Sequence, residues 1–215
     1  MKNRIFSCLG HVFRSRLIFV ALLAFFGLAC AQNSFAYRLA FKEQLYKLYH
    51  QHLKSESLDI AENIHWLEEC LRADFANPLN AMAIIHNKTE WEKYRDLFTM
   101  HINLKLVESY LQWGSQFNKQ EAYFYNAPWQ QLNLESLDKA EKLFRYALVY
   151  WEEAKAWSKK LKQFKWIELP EIQAWEDEQF RIDTGDLNYQ AIIEKHLGKL
   201  AQVRQSFKNM DDKTY

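Results

Sequence analysis

Beyond residue 36, apolar residues recur at intervals of three and four, the helical rather than the strand period, and only three Gly, three Pro and few β-branched runs interrupt them. The pattern predicts an all-α chain. Phe41, Leu45, Leu48 and Leu53 predict a first helix from about Tyr37 to Lys54, and Ile60, Ile64, Leu67 and Leu71 a second from about Asp59 to Asp74, with Ser55-Glu56-Ser57 between them. Asn77-Pro78 reads as an N-cap with proline at the first helical position, opening a short helix to about His86. Thr89-Glu90-Trp91-Glu92 reads as a capping box. It would open a long helix through Trp91, Tyr94, Leu97, Leu104, Val107 and Leu111 that ends at Gly114 as a left-handed cap.

The stretch from Gln116 to Leu132 holds Tyr123, Phe124, Tyr125 and Trp129 and is too aromatic for a solvated linker. A long helix from about Leu134 to Lys162 follows, with Lys159, Lys160 and Lys162 at the negative end of its dipole. Pro170 should start a helix over Glu171 to Ile182, and Asp186 should cap the last one, Leu187 to about Asn209, before a frayed tail over 210–215. Its Tyr189, Ile193, His196, Leu200, Val203 and Phe207 are spaced four, three, four, three, four. That seam is shorter than three heptads, which favours packing within the chain over dimerisation.

The first 36 residues carry the opposite pattern. Lys2, Arg4, Arg14 and Arg16 precede an unbroken apolar run from Leu17 to Ala31, about the length of a signal-peptide core and short of the ~20 residues a spanning helix needs. Residues 1–36 therefore read as an export signal, with small-residue cleavage patterns at Ala29-Cys30-Ala31 and Ser34-Phe35-Ala36. Leu28-Ala29-Cys30 is similar to a bacterial lipobox with Gly27 in place of its usual leucine, so lipidation of Cys30, plain cleavage and an uncleaved anchor all stay open. Each outcome puts the remaining domain, 37–209, outside the cytoplasm, in the periplasm or anchored to a membrane facing it.

Composition narrows the function. The export segment takes four of the 28 basic residues and none of the 27 acids, leaving the mature chain with a net charge near −3. That balance, without a basic stripe, excludes a nucleic-acid binder. Cys8 and Cys30 fall in the export segment, so Cys70 stands alone and reads as a small core residue.

Residues Glu62 to Pro78, ENIHWLEECLRADFANP, line up without a gap against the second helix and exit turn of a tetratricopeptide (TPR) repeat, which they resemble. Cys70 takes the small position, Leu67 and Leu71 the large apolar positions around it, and Asp74 the acid of the turn, while Phe75 replaces the usual turn proline. Lys139 to Leu148 is similar to the same helix, with Ala140, Phe144, Ala147 and Leu148 in place, and Tyr110 to Gly114 is similar to the end of a first helix. Cys70 and Ala147 are 77 residues apart, not a multiple of 34, so the repeats are degenerate. The resemblance implies a TPR-like stack of helical hairpins, an irregular helical bundle being the alternative. It implies a scaffold binding another protein, as in lipoproteins beside solute-binding transporters or components around periplasmic motors.

No catalytic residue, metal site or cofactor is expected. Asp183-Thr184-Gly185 spells an aspartic-protease triplet but follows a helix and has no second copy, so it reads as a C-cap. His50 and His52 point about 200° apart on a helix, and His65, His86 and His101 lack a ligand-spaced partner. Glu176, Asp177 and Glu178 read as a solvated face. Most of the eight Trp should be core, whereas Tyr123, Tyr125 and Trp129 are the candidate residues for docking an envelope or periplasmic protein. The competing reading is a helical bundle holding a small apolar or aromatic ligand in a cavity lined by Trp and Tyr.

Overall fold

The computed structural model describes residues 41–123 and 128–211. Among the described residues six α-helices follow one another: α1 Lys42–Ser55, α2 Ile60–Arg72, α3 Lys88–Phe117, α4 Trp129–Leu161, α5 Gln173–Thr184 and α6 Tyr189–Asn209. Among the described residues the only β pairing is an isolated bridge between Phe41 and Asp74. None of these helices is long and apolar enough to cross a membrane.

Helix α3 is the centre of the fold. Tyr94, Leu97, Phe98, Met100, Ile102, Leu104, Leu106 and Val107 are all essentially inaccessible, and Lys93, Asp96, His101 and Asn103 are buried among them, so the helix is enclosed on several sides. Helix α4 runs antiparallel beside it: Gly114 meets Phe144, Tyr110 stacks on Tyr150 at 5.5 Å, and Asp96 pairs with Lys160 at 2.8 Å. The α1–α2 hairpin packs on α3, and the hydroxyls of Tyr110 and Tyr150 both donate to Glu68 of α2, at 2.7 and 2.9 Å. The α6 seam faces α4, with Ile193, Leu200, Val203 and Phe207 buried and His196 stacked on Phe144 at 5.0 Å. Arg204 fastens the same pair of helices by bonding Asp138 and Glu141.

Cys70 is fully buried where α1 and α2 cross, and its thiol donates to Lys42 O at 3.3 Å. Burial pushes that thiol up to about 12, which suits a packing residue rather than a nucleophile.

Several predicted boundaries move for identifiable reasons. Pro78–Asn80 is a single 3-10 turn instead of a helix to His86. Beyond it, Met82 N donates to the Tyr94 hydroxyl and Ile84 N to Glu171, so tertiary acceptors replace the carbonyls a helix would use. The N-cap is Asn87, two residues before the Thr89 of the motif, and the reciprocal bond of a capping box is shifted to the residue before the cap. Asn87 Oδ1 accepts from Glu90 N at 2.9 Å, and Glu90 in turn accepts from His86 N at 2.6 Å. Those bonds hold the Glu90 carboxyl below its usual range. Replacing Asn87 with alanine is expected to cost about 1 kcal/mol of stability and Thr89→Ala close to nothing, read from urea unfolding midpoints.

Gly114 does not cap α3, which continues to Phe117. Helix α4 starts at Trp129 rather than Leu134, taking in the last four residues of the aromatic stretch. Gly185 has φ 84° and is the left-handed cap of α5, as the sequence predicts, but Asn188 rather than Asp186 caps α6, accepting from Ala191 N.

Candidate functional site

Where α2 ends, the chain turns back over the start of α3 and carries Phe75 into a cluster of rings. Its centroid lies 5.8 Å from Trp91, 6.1 Å from Tyr94 and 5.5 Å from Phe98, each pair edge to face, which is the favoured geometry for aromatic packing. Two cations lie over the same ring, Lys42 and Arg95, each 5.3 Å from the centroid. Trp157 in the last turns of α4 closes the far wall. The result is an open cleft of about 560 Å³ at the junction of α1, α2, α3 and α4, lined by Lys42, Phe75, Trp91, Arg95, Thr99 and Trp157 among others.

The two cations differ. Lys42 is buried and donates to the carbonyls of Cys70 and Leu71 at 2.8 and 2.6 Å, satisfying the orphan acceptors at the end of α2. Burial holds it below the usual lysine range, against the pull of Cys70, Asp74 and Glu43. Arg95 is exposed, and among the described residues no carboxylate lies within 4.0 Å of its guanidinium. Lys160, above the Trp157 ring at 4.6 Å, is already committed to Asp96. Among the described residues Arg95 is therefore the cation of this cleft left to meet a ligand, with the exposed Asp74 in the same lining.

The same end of the α3–α4 hairpin carries further apolar surface. Trp166 is 89 % exposed, and Leu79, Ile84 and Phe180 are exposed with it. Phe180 and Phe164 line a neighbouring cleft of about 480 Å³. The residues singled out by sequence lie at the opposite end of the hairpin. Tyr123 is 48 % and Trp129 55 % exposed there, beside a cleft of about 420 Å³ between the α3–α4 connection and α6. Tyr125 and Cys30 fall outside the described residues.

The acidic cluster of α5 is not a solvated face. Glu176 bonds the buried Lys93 and accepts from Leu169 N, and Glu178 pairs with His101 at 2.5 Å and Lys105 at 3.7 Å; Asp177 alone of the three is exposed. His101, without a partner in sequence, is bonded on both nitrogens: Nδ1 to Glu178, and Nε2 to the Tyr46 hydroxyl at 2.6 Å. Its ring stacks on Trp175 at 4.8 Å. A phenol, an imidazole and a carboxylate in line resemble a proton relay, but Tyr46 and His101 are closed off from solvent, and burial raises the Tyr46 phenol well above its ordinary value. The chain fastens α1 and α5 to α3. Asp183 likewise serves structure, accepting from Ser158 and pairing with Lys162.

The architecture defines an all-α domain of antiparallel helical hairpins with an aromatic, cation-bearing cleft at one end. Residues 89–210 match the family described as a domain of unknown function, DUF8513, and the chain belongs to that family. The match covers α3 to α6 and leaves out the α1–α2 hairpin. No curated protein and no solved structure matches the chain.

Proposed function

We propose that this protein is an exported, non-enzymatic interaction module, a TPR-like scaffold or adaptor that docks a protein partner within an envelope complex. The export reading rests on residues 1–36 and is a sequence argument. What supports docking is the cleft: an exposed guanidinium with no carboxylate partner among the described residues, set between Trp91, Trp157 and Phe75, with Trp166 and Phe180 exposed at the same end of the hairpin. Trp and Arg are the residue types that dominate interface energies, and apolar surface left exposed in this quantity marks interaction sites. The TPR likeness gains support from α1 and α2, a hairpin of 14 and 13 residues with Cys70 at its crossing, which suits a 34-residue repeat. The 30- and 33-residue helices α3 and α4 carry the second window and are about twice that length.

The test is crosslinking and affinity capture of the full-length protein from its native envelope, with intact-mass analysis to read cleavage and lipidation. A defined complex is expected, with Arg95→Gln and Trp157→Ala each weakening its recovery by at least about tenfold. If the triple change of Tyr123, Tyr125 and Trp129 to alanine removes the complex and the cleft variants do not, the docking surface is the other end of the hairpin. A lone monomer carrying a co-purifying small apolar or aromatic molecule would replace the scaffold reading with that of a ligand-binding bundle.

A further inference from the structure

The turn between α1 and α2 brings together three metal-ligating side chains remote from the cleft. His52 lies in the last turn of α1, Asp59 is the N-cap of α2 and Glu62 is its third residue; one donor atom from each lies within 4.8 Å of the others. The orientation of His52 is set from behind. Its Nδ1 lies 2.9 Å from Oδ1 of the buried Asn63, and an amide oxygen only accepts, so Nδ1 carries the hydrogen. In a neutral imidazole Nε2 is then a bare lone pair, and it faces Glu62 Oε2 at 3.2 Å. Two acceptors so placed repel each other unless a cation stands between them. A proton on Nε2 is one such cation and a metal ion the other.

The donor set distinguishes among metals. An imidazole with two carboxylates suits zinc and its neighbours, whereas calcium and magnesium prefer shells of oxygen alone. Tetrahedral zinc with bonds of about 2.0–2.2 Å holds two ligand atoms roughly 3.3 Å apart, close to the separation of His52 Nε2 and Glu62 Oε2. Asp59 Oδ1 accepts from Glu62 N at 3.0 Å, which leaves its second oxygen for an ion. Asn63 holds the imidazole as second-layer partners of metal-bound histidines do. His52 itself is only 13 % exposed, so its position is fixed by packing.

We propose that His52, Asp59 and Glu62 form a site for a zinc-class divalent cation, completed by water, which ties the end of α1 to the start of α2. The experiment is calorimetric titration of the full-length, chelator-stripped protein in mild detergent with zinc alone. One site with a Kd on the order of micromolar is expected, weakened at least about tenfold by His52→Gln and by Glu62→Gln, with far-UV circular dichroism unchanged. Asp59→Asn should weaken it as well while keeping the N-cap, since asparagine caps as well as aspartate. His86→Gln, which removes an exposed histidine paired with Glu90, should leave it unchanged. Zinc uptake that survives His52→Gln, or no uptake by the folded protein, overturns the proposal and leaves a protonated His52 as the cation between the two acceptors.

Discussion

Trp175→Ala is expected to lower stability by about 3–5 kcal/mol and to free α5 from the rest of the domain. Trp175 is the only buried residue of α5. Its ring stacks on His101 at 4.8 Å and touches Phe98, Tyr46 and Tyr94 at 5.5, 6.1 and 6.2 Å, so one side chain bridges α5 to both α1 and α3. Its removal does more than leave a cavity. The bonds of His101 to Tyr46 and Glu178, and of Lys93 to Glu176, are then open to water, where such pairs contribute little. Urea unfolding measures the loss, and hydrogen exchange locates it: the amides of α5 should lose protection while those at the centres of α3 and α4 keep it. A loss under about 1 kcal/mol with α5 still protected would sink this account of how α5 is held.

The second large effect reverses a general rule. A glycine inside a helix is usually improved by alanine, by about 1 kcal/mol. Gly114 lies inside α3, yet a Cβ there would meet Phe144 Cε1 at 2.6 Å and Cδ1 at 2.8 Å. Phe144 cannot swing aside, because it is fully buried and stacked on His196 of α6. The two longest helices would have to separate. Gly114→Ala is therefore expected to destabilise by about 1–3 kcal/mol, the usual cost of overpacking a core. Phe144→Leu in the same chain should recover part of it, giving a favourable coupling in a double-mutant cycle. A Gly114→Ala protein as stable as the parent would show that α3 and α4 do not approach as closely as described.

Gly114 and Gly185 show how far the sequence could be read. Both follow an apolar helical run, and both suit a left-handed cap. At Gly185 local chemistry decides, since the helix behind it ends and its carbonyls need the turn. At Gly114 the deciding atom belongs to Phe144, 30 positions away in sequence, and no local pattern reports it. Glu176 and Glu178 follow the same logic. On their own helix they look like a solvated acidic face, and only the approach of Lys93, His101 and Lys105 from α3 turns them inward. The cleft was less legible still. Trp91 and Trp157 read as ordinary core positions, and the one available hint was Phe75 in a turn where the TPR pattern has proline.

By itself the sequence determined what depends on periodicity and on chemistry within a few residues: an all-α chain, the helix cap at Gly185, the burial of Cys70, and an α6 seam turned inward. The tertiary structure alone decided which end of the α3–α4 hairpin presents an aromatic cleft, why Asn77 to His86 does not continue as a helix, and how His52 comes to face Glu62. The reason is physical. Helical period and capping are set by neighbours along the chain, whereas a cleft, a ring stack or an apposed pair of acceptors is set by helices that meet from distant parts of it.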